Sequence, residues 1–333
     1  MITPKIPLLK DGQILSVDVV NSIIKRTEYA GDLLKQSKLI AGDGVTIQPQ
    51  YDGTRVTLAS FLSGSRIVGY YTRTEEPGAG RFAFVYDGVR FSNILPEIST
   101  IISVEIDGAN IIVGYNAIDS SRVNFLFDGN TFTLLPVPPD AAFLDISGSR
   151  YVGIIGSLNV PGFVGDGFTF SYINTSSIVP SGYRSIAVFP YGIDGQKIVG
   201  ATFIFRSIGN IQAFIGWVYD GSNYLRIEVP GFPLTNLSGT SVYGVDGENI
   251  IGESTTNLND IAAQKSWLYN GETFTYISFP GSSYTRLASI KGSNIVGTYG
   301  LANGVERSFI FNGSTYSDFI YPGAVRTVIT GIG

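Results

Sequence analysis

GSNIVGTYG, residues Gly292–Gly300, is one of six near-copies of a glycine-flanked apolar phrase in this chain. The others read GSRIVGYY from Gly64, GANIIVGYN from Gly108, GSRYVGII from Gly148, GQKIVGAT from Gly195 and GENIIGES from Gly247. The glycines that close the apolar part are spaced 39 to 52 residues apart: Gly69, Gly114, Gly153, Gly200, Gly252 and Gly297. A repeat of this length indicates one supersecondary unit copied along the chain.

A second marker follows each phrase. It is an aromatic run that ends in Asp-Gly or Asn-Gly, as in WVYDG up to Gly221 and FIFNG up to Gly313. These dipeptides predict hairpin turns, because both central residues need a positive φ. With the apolar run before the phrase and the short run after the turn, each unit is predicted to contain four antiparallel strands. We expect the glycine inside the second strand to mark a bulge or a close approach of two strands.

Six such units predict an all-β fold, a six-bladed β-propeller of four-stranded antiparallel blades over residues 56–333. An open solenoid or a β-sandwich of repeated hairpins is the alternative. The last segment, VRTVITGIG, matches the first strand of a unit but lacks the second. We therefore expect one terminal segment to complete a blade begun by the other, which removes two exposed sheet edges. The unit resembles HAF-type and kelch-like repeats, and this resemblance implies the architecture without an activity.

Residues 1–55 differ from the repeats and are predicted to form a separate attachment or oligomerisation region. Residues 17–38 predict an α-helix, with Ser16 as the N-cap and lysines in the last turn. A small β-hairpin is expected at about 45–58. The helix needs a partner surface, which is its own propeller, another copy or another protein. Its attachment face is predicted to contain Val20, Ile23, Ile24, Leu33 and Leu34.

The N-terminal phrases NSIIKRTEYAGDLLKQSKLIAGDG and GVTIQPQYDGTRVTL resemble the N-terminal regions of tailed-bacteriophage virion proteins. The part AGDGVTI…DGTRVTL is similar to small hairpin modules near the attachment ends of trimeric fibres. This resemblance implies a virion protein that docks through residues 1–55 and forms a homotrimer. We also expect no signal peptide, because Met1–Lys10 lacks a basic start followed by a long apolar run. Localisation is therefore expected in the virion, after assembly in the host cytoplasm.

Composition removes several classes of function. The chain contains no cysteine and no histidine, so disulfides, thiol nucleophiles, imidazole bases and Cys/His zinc sites are excluded. A net charge of −5 without a basic stripe argues against nucleic acid as a partner. No uninterrupted apolar run is long enough to insert in a membrane. We expect no cofactor.

Aspartates that precede glycine raise the possibility of calcium loops, but none has the alternating ligands and closing glutamate of such a loop. Turn chemistry is therefore expected at all of them, and no metal. They are Asp87, Asp107, Asp128, Asp194, Asp220 and Asp246.

A glycosidase-like propeller needs paired carboxylates and, in the sialidase-like case, an arginine cluster. We expect Glu75 and Glu76 on a surface loop and no such cluster, so no catalytic residue is assigned. The candidate arginines are Arg66, Arg73, Arg81 and Arg150.

The longest insertions are 203–214, 230–239 and 254–266. Recognition usually resides in loops that vary while the scaffold repeats, and simple solvated loops are the alternative.

The sequence thus predicts a non-enzymatic virion protein, a tail-fibre or receptor-binding component that contacts a host-surface glycan. A head decoration or baseplate component whose propeller is a protein contact surface is the second hypothesis, and a glycan-acting propeller enzyme is the third.

Overall fold

The computed structural model describes residues 66–333 apart from 75–79, 95–99, 117–121, 129–130, 136, 139, 157–160, 168 and 207–210. All of these residues belong to one compact unit, Val56–Gly333. The predicted helix, hairpin and attachment residues of the N-terminal region lie outside the described residues.

Antiparallel β-strands account for nearly all regular structure in the described part of the chain. The closing sheet has the order β24-β1-β2-β3, with strands Arg326–Ile332, Ile67–Thr72, Phe82–Tyr86 and Phe91–Asn93. The second sheet, β4 to β7, contains Thr100–Asp107, Asn110–Asn116, Arg122–Phe127 and Phe132–Leu134. The third sheet, β8 to β11, contains Ala141–Ser147, Arg150–Ile155, Gly162–Gly165 and Phe170–Tyr172. The last sheet, β20 to β23, contains Tyr284–Lys291, Asn294–Gly300, Glu306–Phe311 and Tyr316–Phe319.

The remaining strands form one eight-stranded sheet, the double sheet. Its first half, β12 to β15, contains Arg184–Asp194, Lys197–Arg206, Ile211–Tyr219 and Tyr224–Arg226. Its second half, β16 to β19, contains Ser238–Asp246, Asn249–Thr255, Gln264–Tyr269 and Phe274–Ile277. A short parallel pairing joins the halves, with Ala213 opposite Ser238 and Phe214 opposite Gly239. The pairing among described residues therefore gives four separate four-stranded blades and this double sheet, which differs from the six separate sheets predicted.

The sheets close into a ring. The innermost strands of successive units contact one another in the cycle β24, β4, β8, β12, β16, β20 and back to β24. The C-terminal strand β24 pairs with β1 and completes the closing sheet, so the predicted joining of the two ends is confirmed and the C-terminal segment supplies the missing strand. The fold is an all-β propeller. Its helical content among described residues is two three-residue 3-10 turns, Ser176–Ile178 and Ile261–Ala263. The described part of the chain contains no helix that is long and apolar enough to cross a membrane.

Apolar side chains between neighbouring sheets form the core, and an aromatic ring over a glycine is its recurrent element. Gly200 on β13 lies opposite Trp217 on β14, and Gly252 on β17 lies opposite Trp267 on β18. A Cβ on Gly200 would overlap the carbonyl oxygen of Phe189 and lie 2.6 Å from Cζ2 of Trp217. The same close approach occurs at three further glycines, where the ring is that of a phenylalanine: Gly69, Gly153 and Gly297. This pairing explains why the glycine and the following aromatic run recur together.

Gly114 is the exception among the six repeat glycines. The phrase GANIIVG contains one more residue than the other five, so Val113 occupies the position that glycine holds elsewhere. Val113 is fully buried and lies opposite Phe125, whereas Gly114 lies opposite Asn124. A Cβ on Gly114 would meet only side chains, 2.6 Å from Oδ1 of Asn124 and 2.8 Å from Oγ of Ser103. Since one residue along a strand reverses the face, the sequence alignment at Gly114 is wrong by one position.

Candidate functional site

The two faces of the propeller carry different kinds of connection. In the five units whose four strands follow one another in the chain, a tight glycine turn joins the first strand to the second. In the five units for which the structure describes the turn after the third strand, a tight glycine turn also joins the third strand to the fourth. Because neighbouring strands are antiparallel, these turns lie at one end of the unit, which we call the turn face. Connections from second to third strand, and from one unit to the next, lie at the other end, the loop face. The predicted insertions 203–214, 230–239 and 254–266 all belong to the loop face.

Inner turns of the turn face link each unit to the next. Oδ2 of Asp107 accepts a hydrogen bond from the Gly148 N–H at 2.7 Å, and Oδ2 of Asp194 accepts one from Gly247 at 2.8 Å. In the same way, Oγ of Ser147 accepts a hydrogen bond from the Gly195 N–H at 3.0 Å, and Oδ2 of Asp246 accepts one from the Gly292 N–H at 2.7 Å. Four successive junctions are thereby tied through backbone N–H groups, which contribute to the rigidity of the scaffold.

The outer turns of the same face use the same dipeptide differently. Asp87 accepts hydrogen bonds from the N–H groups of Val89 and Arg90 at 2.9 and 2.7 Å, within its own turn. Asp220 does the same with Ser222 and Asn223 at 2.8 and 2.7 Å. These bonds hold the pKa of Asp220 below its ordinary value. Asp128 likewise accepts from Thr131 at 2.7 Å. The outer-turn aspartates therefore serve turn chemistry, as predicted, whereas the inner-turn aspartates Asp107, Asp194 and Asp246 bond to the next unit.

The three predicted loops meet at the junction of the double sheet. The Leu237 N–H donates to the carbonyl oxygen of Gln212 at 2.8 Å, and the Leu237 carbonyl accepts from the Leu258 N–H at 2.6 Å. Oδ1 of Asn236 also accepts a hydrogen bond from the Gln212 N–H at 3.1 Å. One residue from the 230–239 connection thus ties the 203–214 and 254–266 insertions together. Leu237 has a φ of 58°, the only positive value at a non-glycine residue in the described part of the chain. Such strain persists only where surrounding bonds hold it.

A groove of about 510 Å³ opens beside this loop contact, between the two halves of the double sheet. Its floor comes from β14 and the start of β16, and its wall from the connection that includes Pro230 and Phe232. The ring of Phe232 lies 6.5 Å from that of Tyr276, whose hydroxyl is 3.5 Å from the Pro230 carbonyl oxygen. At the rim, Nη2 of Arg226 and Oε1 of Glu228 are 3.5 Å apart. Apolar walls with a few polar groups at the edge are the usual composition of a ligand site.

The axis of the propeller contains carboxyl groups that the sequence analysis did not single out. Asp145 accepts the Ile193 N–H at 2.7 Å and the Ile146 N–H at 2.8 Å. Burial raises the pKa of Asp145 to about 7 and, together with the charge of Asp145, raises that of Glu105 well above its ordinary range. At the turn face, Nζ of Lys291 lies 3.2 Å from Asp246 and 3.8 Å from Asp107. Within the described ranges, no group of three or more acidic side chains is arranged to hold a metal ion.

Nearer to the loop face, four further side chains interact with one another. We call them the axial site: Tyr191, Tyr243, Glu253 and Arg286. The two tyrosines occupy the extra positions of bulges in β12 and β16, and their ring centroids are 5.1 Å apart. Glu253 is 8% exposed, and its Oε2 has no hydrogen-bond partner. Burial raises the pKa of Glu253, while the positive charge of Arg286 opposes the rise.

The arginines considered for an enzyme lie at opposite ends of the blades. Arg66 exchanges backbone hydrogen bonds with Gly333, and Arg150 donates to the Gly195 carbonyl, both at the turn face. Arg73 and Arg81 lie at the loop face, 5.5 Å from the ring of Phe82 and 4.8 Å from that of Tyr70. The structure therefore separates these two pairs. Glu75 and Glu76 lie outside the described residues.

Comparison with known proteins supports the fold. No family model and no curated protein matches the chain. Among solved structures, it is similar to TolB from Acinetobacter baumannii, with 13% identity, 82% of this chain and 67% of that chain covered, and a TM-score of 0.50. It is also similar to the β-propeller domain of the Trilobed protease from Pyrococcus furiosus, with 11% identity, coverage of 78% and 79%, and a TM-score of 0.48. The SapL1 lectin in complex with α-methyl fucoside is similar as well, with 14% identity, 80% of this chain and 100% of that chain covered, and a TM-score of 0.44.

The chain is thus a β-propeller protein whose closing sheet joins both ends of the described chain. At these identities, the likeness shows the fold alone.

Proposed function

We propose that the chain is a non-enzymatic bacteriophage virion protein, a tail-fibre or receptor-binding component. Residues 1–55 dock on other virion proteins, and the propeller presents its loop face to a glycan of the host surface. The observation that carries the binding role is the meeting of three long connections beside the groove, since recognition concentrates on loops held by a rigid scaffold. The virion assignment is supported by the N-terminal phrases that resemble attachment regions.

We also propose that the propeller has six blades of the HAF or kelch type. Each half of the double sheet contains four antiparallel strands in the same order as the separate sheets, and only two residue pairs join the halves. The cycle of innermost strands has six members when the halves are counted separately. Each half also has its own glycine-aromatic pair, at Gly200 and Gly252.

The groove suits a saccharide for three reasons. Its volume of about 510 Å³ falls within the ordinary range of ligand sites. Phe232 presents an aromatic face in the groove, against which the C–H face of a sugar packs, and Tyr276 lies beside that ring at 6.5 Å. Arg226 and Glu228 provide a donor and an acceptor at the rim for hydroxyl groups.

Competition for adsorption tests this role. Purified full-length chain, incubated with host cells, is expected to reduce adsorption of particles released from cells that carry its gene. Tyr276→Ala is expected to weaken this competition about tenfold, because Tyr276 contacts Phe232 and Pro230 and so holds the wall of the groove in place. The matched control is Tyr172→Ala, since Tyr172 holds the same place in β11 of the third sheet and is similarly exposed, at 61% against 53% for Tyr276. Equal loss in both variants, or no competition by the unaltered chain, contradicts the proposal.

Antibody labelling of intact particles by electron microscopy tests the location. Label at the tail tip supports the receptor-binding role. Label on the head, or only after disruption of the particle, favours the decoration or baseplate alternative. Light scattering of the purified chain tests the proposed trimer. Release of fragments from host polysaccharide by the purified chain would favour the alternative of a glycan-acting propeller enzyme.

A further inference from the structure

The groove does not account for the axial site, whose side chains come from the innermost strands β12, β16 and β20 and from β17. Glu253 is more than nine-tenths buried and leaves one carboxylate oxygen without a partner. A buried polar atom without a hydrogen bond costs about 1–3 kcal/mol. Native proteins seldom keep such an atom without a function or a bound molecule to explain it.

The surroundings of Glu253 form a cradle with offsetting charges. Arg286 is the basic group that acts on Glu253. The phenols of Tyr191 and Tyr243 stay neutral, since burial is the main cause that raises the pKa of Tyr191 to about 12 and that of Tyr243 further. Tyr191 stacks parallel to Phe189 at 5.8 Å, which holds its ring in place.

The exposed member of this cradle, Arg286, lies on the side of the loop face. At the turn face, the innermost strands enclose a cavity of about 20 Å³, room for little more than one water molecule. Lys291 lies there between Asp107 and Asp246. Arg286, by contrast, is exposed, and its Nη2 is 3.5 Å from Oε1 of Gln264 at the beginning of β18 on the loop side.

We propose that the axial site binds a neutral saccharide unit. A hydroxyl group is the ligand group that both donates to Glu253 Oε2 and accepts from the Arg286 guanidinium. A neutral molecule suits a pair whose charges offset, because a charged ligand leaves one charge uncompensated beside the buried Glu253 carboxylate. The tyrosine rings offer apolar faces with hydroxyl edges, which match the alternating C–H and O–H surface of a sugar. The site is separate from the groove, and its test does not depend on the ligand of the groove.

Titration of the full-length chain tests the axial site. The probes are the methyl glycosides of glucose, galactose, mannose and N-acetylglucosamine, with choline and glucuronate as charged comparisons. We expect saturable binding of at least one neutral glycoside and at least tenfold weaker binding of both charged molecules. Glu253→Gln is expected to weaken glycoside binding about tenfold, because a charge-assisted hydrogen bond is lost. Absorbance of Tyr191 and Tyr243 provides an independent signal, which binding is expected to change.

Two further variants keep the result interpretable. Glu272→Gln alters an exposed glutamate of the second half at the turn face and is expected to leave glycoside binding unchanged. Tyr276→Ala, beside the groove, is likewise expected to leave glycoside binding at the axial site unchanged, so failure of the groove proposal and failure of the axial proposal are distinguishable. The proposal is overturned if no glycoside gives a saturable signal, if choline or glucuronate binds most tightly, or if Glu253→Gln binds as well as the unaltered chain.

Discussion

The turn face and the loop face of this propeller are built from the same strands but differ in what their connections do. At the turn face, short glycine turns repeat with little variation, and their side chains bond either to their own turn or to the neighbouring unit. At the loop face, connections vary in length, and three of them meet at Leu237 beside the groove. The difference teaches that repetition marks the scaffold and that departure from the repeat marks the candidate binding surface.

The largest expected effect comes from the repeat glycines. Gly200→Ala places a methyl group against the Phe189 carbonyl and the Trp217 ring, neither of which has room to move. We expect it to lower the free energy of unfolding by about 3 kcal/mol. The methyl group of Gly114→Ala meets only side-chain atoms, so we expect the free energy of unfolding to fall by only about 1 kcal/mol. Urea unfolding of both variants measures the difference, and equal losses would show that Gly114 is packed like the others.

A smaller effect is expected from the pH dependence of the axis. The pKa of Asp145 is raised in the folded chain from 3.8 to about 7, so the folded state holds a proton that the unfolded state has released. Stability contributed in this way is present at low pH and is lost as the pH rises from about 4 to about 7. A tenfold change in proton affinity is worth about 1.4 kcal/mol, and solvent around the half-buried carboxyl reduces the effect, so we expect a loss of about 1–2 kcal/mol.

Asp145→Asn removes this contribution together with the part of the Glu105 pKa rise that the charge of Asp145 causes. Asparagine keeps the shape and one acceptor for the Ile193 or Ile146 N–H, but does not titrate. Its unfolding free energy is expected to change less between pH 4 and pH 7 than that of the unaltered chain. An identical slope in both proteins contradicts the assignment. The pKa of Glu306 is lowered by the hydrogen bonds and charges of its neighbours, so its contribution to stability increases with pH. That contribution is expected to be equal in the variant and in the unaltered chain.

Inner and outer turns are compared directly by Asp194→Ala and Asp220→Ala. Asp194 bonds to Gly247 of the next unit, so its removal is expected to cost about 1 kcal/mol and to speed hydrogen exchange at the Gly247 N–H. The Asp220 carboxylate accepts hydrogen bonds only within its own turn, so Asp220→Ala is expected to lower the free energy of unfolding by less. Hydrogen exchange is expected to change only at the N–H groups of Ser222 and Asn223. Faster exchange of Gly247 in Asp220→Ala would remove the distinction between the two kinds of turn.

The smallest effect on stability is expected at the loop face. Leu237→Gly relieves the positive φ but adds freedom to the unfolded chain, so the two contributions largely offset. We expect the free energy of unfolding to stay within about 0.5 kcal/mol of the unaltered value. Adsorption competition is expected to weaken, because the loop contact loses its fixed geometry. Strong destabilisation with unchanged competition would place Leu237 in the scaffold instead.

Local requirements made the strands, the hairpin turns and the closing segment predictable. A residue such as Gly221 is needed for the φ of 98° in its own turn, wherever that turn lies in space. The partner of Asp194 was not predictable, because it lies 53 residues away in the chain. The shift at Gly114 was hidden because six similar phrases were aligned by their last glycine rather than by strand position.

The candidate site divides in the same way. The three insertions were identifiable from length, but their meeting at Leu237 depends on the parallel pairing of β14 and β16. The tyrosines of the axial site had one unused signal, the Tyr-Gly pairs in FPYGIDG and SVYGVDG. Both lie at bulges on innermost strands, where an extra residue turns a side chain towards the axis. Glu253 and Arg286 reach these tyrosines only through the ring arrangement of the sheets.

The pairing of β24 with β1 has a consequence during synthesis on the ribosome. Tyr71 and its partner Thr327 are more than 250 positions apart, so β1 leaves the exit tunnel long before the strand that covers it exists. Throughout that interval the nascent chain carries an uncovered strand edge, which invites association with neighbouring chains on the same messenger. Slow translation or chaperone capture over this interval is therefore expected to decide how much of the product reaches the closed ring.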